Sequence, residues 1–412
     1  MKRILLIAFV IVAAVSCRRD YPLAPEKEPE PPQEQLLPPA RITQTTQYAE
    51  DRCTAFNFEY PSLDPYGKPA TLSGTIVIGD EISKDAPARG LFLYNHFTSY
   101  AAGECPSRGD LGAQKLMVGS GLISISADYY GFGVTQDKPQ AYALAGANGQ
   151  ASADALIAAT GLLADMGYTW DNVIFNIGYS QGAQSAIAAL KALKENHPEI
   201  RFTRTYAGGG LYDVKTTYRN LASSGQSPMP DVVVSALLAY NEFYDLGIPR
   251  EKLFKEPLLS NLDEWFLSKK HTLAQIEVLM DSDNLQEYVT PDVLDPESEI
   301  SKQFYAVMDK ESLCQGWEPR LGEKITLVHN KADDIVPVEN TEKLIRFFRE
   351  HGVTVRSRVE NFSQIPLIRG PHNMGAVVFI LDTLNDICST LDIRLWVDAS
   401  QVIQLVKSLP AA

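Results

Sequence analysis

The sequence predicts an α/β protein: a mostly parallel sheet with helices on both faces, interrupted once by a helical insertion. Three observations carry this. From residue 90 onward, short apolar runs of strand length alternate with helix-length segments, which is the spacing of βαβ units. The runs at 90–94 and 122–126 read as buried strands of the kind a parallel sheet covered on both faces contains. The chain has 412 residues, 45% of them hydrophobic, which suits one large domain with an insertion.

The elements follow in order. Residues 54–60 and 71–78 are β-rich and are split by the turn signal Asp64-Pro65-Tyr66-Gly67. Further strands are expected at 90–94, 122–126, 173–177, 203–207, 324–328 and 353–359. Helices are expected at 150–165, 181–195, 338–351 and 373–386. Residues 211–320 break the alternation. They read as helical and amphipathic, with tyrosines and leucines spaced along 232–244 and 262–279, and they fall between two sheet strands. An inserted helical cap is therefore expected there. Within it, Asp281-Ser282-Asp283-Asn284 begins like a calcium loop but lacks the ligand and glycine that should follow, at Leu285 and Gln286. The reading requires no metal and no cofactor.

The N-terminal region has a different composition. Lys2 and Arg3 precede an apolar run at 4–15, too short to span a bilayer comfortably and typical of an export signal. Ala14-Val15-Ser16-Cys17 resembles a bacterial lipobox, with Ala14 where Leu is more usual. This implies a signal peptide at 1–16 and a lipidated Cys17; ordinary cleavage near Ser16 is the alternative. Residues 17–41, rich in proline and glutamate, cannot bury a core and read as an extended spacer ahead of a domain at 42–412. The chain is thus expected to be an exported, membrane-anchored lipoprotein, periplasmic or on the cell surface. With Cys17 lipidated, Cys53, Cys105, Cys314 and Cys388 allow two disulfides in any of three pairings, or free thiols. The formal charge of −14 and the lack of a basic stripe argue against a nucleic-acid partner.

The chemistry centres on Gly178-Tyr179-Ser180-Gln181-Gly182. Gly-x-Ser-x-Gly alone is weak, arising by chance in about one chain in ten of this length. Here it follows a predicted strand and opens a predicted helix, the context of a nucleophile elbow. A serine hydroxyl needs a base to take its proton, and this elbow predicts an acid after the serine and a histidine last. His329-Asn330-Lys331-Ala332-Asp333-Asp334-Ile335-Val336-Pro337 resembles the acid-bearing stretch of many α/β-hydrolases, with Asn330 in place of the usual glycine. Counting back from Pro337 puts the acid at Asp333, with Asp334 as runner-up. His372, in a loop between a strand and a helix, is the histidine in the required order. His351 reads as a helix-end residue, and His197 and His271 as solvated. Oxyanion donors are expected from the backbone of Gln181 and of Phe97 or Thr98, in the loop Asn95-His96-Phe97-Thr98, with His96 structural.

With these residues placed, the chain looks like the bacterial and fungal secretory lipases, whose best-known members resemble the yeast lipase A enzymes. The likeness runs from 91 to 210, through Asp128-Tyr129-Tyr130-Gly131-Phe132, Gly178-Tyr179-Ser180-Gln181-Gly182-Ala183 and Ala207-Gly208-Gly209-Gly210, and resumes at Asp333 and His372. It implies an α/β-hydrolase fold with a helical cap ahead of the acid, acting on small-molecule or lipid esters. Two other readings stay open at this point. One is a prolyl-oligopeptidase-like peptidase, although the chain has no room for the large propeller. The other is a non-catalytic binding protein on a hydrolase scaffold. Acyl preference and oligomeric state stay open too.

Overall fold

A computed structural model describes residues 37–393, apart from 110, 113, 116–118 and 367. The expected signal peptide, Cys17 and most of the spacer lie outside the described residues.

Nine strands form one sheet. Strands β1 (Arg41–Tyr48), β2 (Cys53–Leu63) and β3 (Pro69–Gly79) make an antiparallel meander, and β3 pairs antiparallel with β5 (Leu122–Ala127). From β5 onward the sheet is parallel through β4 (Gly90–Asn95), β6 (Ile174–Tyr179), β7 (Arg204–Gly208), β8 (Ile325–Asn330) and β9 (Val355–Glu360). The order across the sheet is β1-β2-β3-β5-β4-β6-β7-β8-β9. The central strands are the apolar runs read from sequence, and β5 is buried at all six positions. Strand β1 falls outside the expected elements. Its sequence, Arg-Ile-Thr-Gln-Thr-Thr-Gln-Tyr, is polar because an edge strand needs only one neighbour and tolerates water on both faces.

Helices cover both faces. On one side, α1 (Ala145–Asp165) starts five residues before its expected position and packs on α2 (Gln181–Asn196). Small residues permit the contact: a Cβ added at Gly149 would meet the Ala188 Cβ at 2.4 Å. Leu156, Leu163 and Ile187 are fully buried in this layer, each stabilising the fold by about 1.5–3 kcal/mol relative to exposure.

The cap fills the chain between β7 and β8. It holds α3 (Val214–Ser224), α4 (Pro230–Phe243), α5 (Leu273–Leu279) and α6 (Glu299–Met308), joined by shorter helical turns. Local signals set their ends. Asp213 caps α3 through the Thr216 amide and Gly225 closes it at φ 65°, while Thr272 and Gln275 form a capping box on α5. The 262–279 stretch is not one helix. It breaks at Lys269, whose φ is 54° and whose buried ammonium donates to the carbonyls of Gly131, Gln136 and Lys138. That contact ties the cap to the loop after β5. The cap has its own apolar core, around Leu237, Tyr240, Leu253 and Phe304.

After β8 come α7 (Glu339–Glu350) and, beyond β9, α8 (Pro371–Leu391). By length and apolarity α8 could cross a membrane, but its apolar side packs on the sheet face formed by Phe92, Phe175 and Tyr206. Asp386 on the same helix accepts from Tyr206 and pairs with Arg204 and Arg356. Cys53, Cys105, Cys314 and Cys388 are free thiols; burial pushes the Cys53 thiol up to about 11.

Candidate active site

The turn between β6 and α2 is tight. Ser180 has φ 56° and ψ −122°, a backbone conformation costly for any residue but glycine. A Cβ at Gly178 would meet the Gly182 carbonyl oxygen at 2.0 Å, and one at Gly182 would meet the Asn95 carbonyl oxygen at 2.1 Å. Only glycine lets these backbones approach so closely. The Ser180 amide donates to the Gly208 carbonyl at 2.9 Å, holding the elbow against β7.

His372, expected in a loop, occupies the first turn of α8, just after Gly370 (φ 71°) and Pro371. Proline suits that position because the first helical N–H has no partner to lose. The Tyr179 hydroxyl donates to the His372 carbonyl at 2.6 Å, and the Asn330 amide donates to the Pro371 carbonyl at 2.8 Å. From sequence, Asn330 matters only to loop shape. The structure gives it more to do: its Oδ1 also accepts from the amides of Ala332 and Phe362, so one buried side chain joins the acid loop to the histidine segment.

The three residues expected to act together are in one hydrogen-bonded row. His372 Nε2 lies 3.0 Å from Ser180 Oγ, and His372 Nδ1 lies 2.7 Å from Asp333 Oδ2. The Asp333 side chain is fully buried, and its Oδ1 accepts from the amides of Ile335 and Val336 at 3.0 and 2.8 Å. Burial alone would raise its carboxyl, but His372 and His329 outweigh burial and hold it well below the ordinary carboxylate range. The runner-up, Asp334, is exposed and accepts only weakly from the His372 backbone amide, at 3.3 Å. His329 has no role in the sequence reading; its ring lies fully buried against Asp333.

Among the candidate oxyanion donors, Phe97 and Thr98 line the same cavity as Ser180. Gln181 is the first residue of α2, so its N–H has no intrahelical acceptor. The loop bearing Phe97 and Thr98 is anchored by Asn95, whose amide donates to Asn176 Oδ1 and the Ile177 carbonyl. The ring nitrogens of His96 face the carbonyls of Phe97 and Asp128, and the ring stacks on Tyr129 at 4.1 Å. Burial lowers its basicity, consistent with a structural role.

Ser180 and His372 open into a cavity of about 490 Å³. Its walls are mostly apolar: Leu211, Tyr218 and Leu221 around α3, Val233 and Ala236 from α4, and Phe379 and Leu384 from α8. A serine hydroxyl, an imidazole and a buried carboxylate in one hydrogen-bonded row lie beneath this apolar chamber.

A serine elbow at the carboxyl edge of this sheet, with the acid after β8 and the histidine after β9, is the arrangement of an α/β-hydrolase. Within that class the chain belongs to the secretory lipase family, whose sequence profile matches residues 114–378. It is accordingly a carboxylic ester hydrolase. Solved structures share its fold. The rice cell wall degrading esterase LipA from Xanthomonas oryzae has a TM-score of 0.66 at 17% identity, over 88% of this chain and 98% of that one. A putative hydrolase from Legionella pneumophila has a TM-score of 0.70 at 17% identity, over 84% and 91%. Candida antarctica lipase A in its closed state has 0.66 at 15% identity, over 89% of each chain. No curated protein matches the chain.

Proposed function

We propose that the chain cleaves esters through an acyl-enzyme intermediate on Ser180. The observation that carries this reading is the continuous row from Ser180 Oγ to His372 Nε2 at 3.0 Å and from His372 Nδ1 to Asp333 Oδ2 at 2.7 Å. As Oγ attacks the ester carbonyl carbon, His372 takes its proton, and the carbonyl π electrons move onto oxygen. The N–H groups of Gln181 and of Phe97 or Thr98 meet that oxyanion, each worth about 3–4 kcal/mol in such sites. Collapse of the intermediate expels the alcohol, which leaves with the proton from His372. A water molecule activated by the same imidazole then releases the carboxylic acid and restores Ser180. Asp333 holds the imidazole in the tautomer that presents Nε2 to the serine and stabilises the imidazolium.

The same reading has the chain exported and held at a membrane by lipid on Cys17, with the hydrolase domain spaced away from the surface. Its support is the basic and apolar N-terminus, the lipobox-like Ala14-Val15-Ser16-Cys17 and the proline-rich stretch that follows.

A fluorophosphonate probe tests the nucleophile. Wild type should label and Ser180→Ala should not; equal labelling of both would overturn the assignment. Nitrophenyl esters of increasing chain length, set beside Xaa-Pro amides, test the substrate class. Turnover of the amides in preference to every ester would point to a peptidase instead.

A further inference from the structure

His329 is the penultimate residue of β8, and its side chain is fully buried. Nδ1 lies 2.6 Å from the Thr341 hydroxyl, near the start of α7. Nε2 lies 3.0 Å from the Val336 carbonyl and 3.4 Å from Asp333 Oδ2. A carbonyl only accepts, so Nε2 carries a proton, donated to Val336 beside the carboxylate. The partners of Asp333 are therefore divided. Oδ1 takes two backbone amides, while Oδ2 bonds His372 and has His329 Nε2 3.4 Å away. The other titratable groups acting on this carboxylate's surroundings are Asp334 next to it and Tyr179 from β6.

We infer that His329 is a positioning residue: it clamps the 333–336 turn and holds the Asp333 carboxylate with Oδ2 facing His372. This rests on the reading above, in which Asp333 serves His372 during acyl transfer. A buried carboxylate needs its charge offset, and the His329 N–H, bonded to the Val336 carbonyl, lies 3.4 Å from Oδ2. The same N–H holds the Val336 carbonyl, while the Val336 amide holds Oδ1, so a single ring fixes both the turn and the carboxylate plane. The positive end of its N–H dipole also lies near the Asp333 carboxylate and opposes part of its negative charge. A histidine kept only to join β8 to α7 would need the Thr341 contact and nothing more.

Two substitutions separate these roles. The amide nitrogen introduced by His329→Gln falls near the ring Nε2, so a donor toward Val336 and Asp333 is kept. His329→Asn reaches only as far as Nδ1, so the Thr341 contact is kept and the donor toward Asp333 is lost. Initial rates on a short nitrophenyl ester are measured from pH 5 to 9 and normalised to sites titrated to completion with the fluorophosphonate, which removes any unfolded fraction. His329→Gln should keep kcat within about threefold. His329→Asn should lose roughly 10–100-fold in kcat, the equivalent of one hydrogen bond to a charged group, with KM within about twofold. Its acid limb in kcat/KM should also move to higher pH, because the opposing dipole is gone. Thr341→Val, which leaves the donor in place, should resemble His329→Gln. Equal kcat for the Gln and Asn variants, or an unshifted limb in the Asn variant, would overturn the inference. Asp333→Asn is run alongside. If it is fully active, the acyl-transfer reading has failed; if it is inactive while His329→Asn matches wild type, only the role of His329 has failed.

Discussion

Gly182→Ala places a methyl group against the loop that bears Phe97 and Thr98. The added Cβ would lie 2.1 Å from the Asn95 carbonyl oxygen and 2.9 Å from that of His96, both backbone atoms with no side-chain freedom to give. Restoring ordinary contact at 3.4 Å requires the loop and α2 to separate by about 1.3 Å. Asn95 resists this, because its amide is pinned to Asn176 and Ile177 on β6. Two costs follow. Overpacking of a tight contact destabilises the fold by about 1–3 kcal/mol. Displacing one oxyanion donor from the other by about 1 Å lowers kcat by roughly 100-fold. KM should change little, because the cavity wall around α3 and α4 is untouched. The assay is steady-state hydrolysis of a short nitrophenyl ester at saturation, with a thermal melt on the same sample. Gly161→Ala in α1 is the control: its Cβ would meet nothing within 4 Å, so it should leave kcat unchanged and stabilise by up to about 1 kcal/mol. A Gly182→Ala enzyme with kcat within twofold of wild type would refute the claim that this contact sets the donor geometry.

Asp333→Asn should lower kcat by about 10⁴-fold, since the amide cannot hold the required tautomer. Asp334→Asn, at an exposed carboxyl that meets only a backbone amide, should stay within a fewfold of wild type; reversed magnitudes would transfer the acid's role to Asp334. Asp231 in the cap is fully buried. Burial raises its carboxyl to about 6 from its ordinary 3.8, despite the Tyr100 hydroxyl at 2.7 Å. Because the folded value lies above the unfolded one, its contribution to stability is complete below about pH 4 and lost as pH rises through about 6. Asp231→Asn should therefore gain on wild type by up to about 3 kcal/mol between pH 4 and 7 in denaturant melts; a difference constant with pH would rule this out. Cys17→Ser should move the protein from the membrane to the soluble fraction and abolish labelling by an alkyne fatty acid, and persistent labelling would locate the lipid elsewhere.

Much of the fold is legible in the sequence because its signals are local. A fully buried parallel strand shows as an apolar run, and Val173 to Tyr179 followed by a helix of small residues specifies the elbow without reference to any distant segment. Proline at 371 marks a helix start, yet sequence reasoning leaves His372 in a loop because Gly370-Pro371 resembles a turn; both features belong to the helix entry. Strand β1 escapes for the opposite reason. Its polar sequence adjoins the proline-rich stretch, and an edge strand carries no apolar signature to separate the two.

What sequence could not supply are contacts between distant segments made by residues with ordinary local explanations. In sequence, Asn330 is a departure from glycine, His329 the residue after a strand and Lys269 one position in an amphipathic stretch. Each becomes informative only once folding brings it against a segment 32 to 138 residues away or turns it onto the acid loop. The strong motif residues are the proposed reacting groups, and these weaker ones hold the segments around them: Asn330 spans the Asp333 and His372 segments, and Lys269 fastens the cap to the loop after β5. The same asymmetry explains why the family can be read from Ser180, Asp333 and His372 while the preferred acyl group cannot. That preference depends on how cap side chains such as Leu221 and Val233 fill the chamber, and apolar residues at helical spacing look alike in sequence whether they face a core or a substrate.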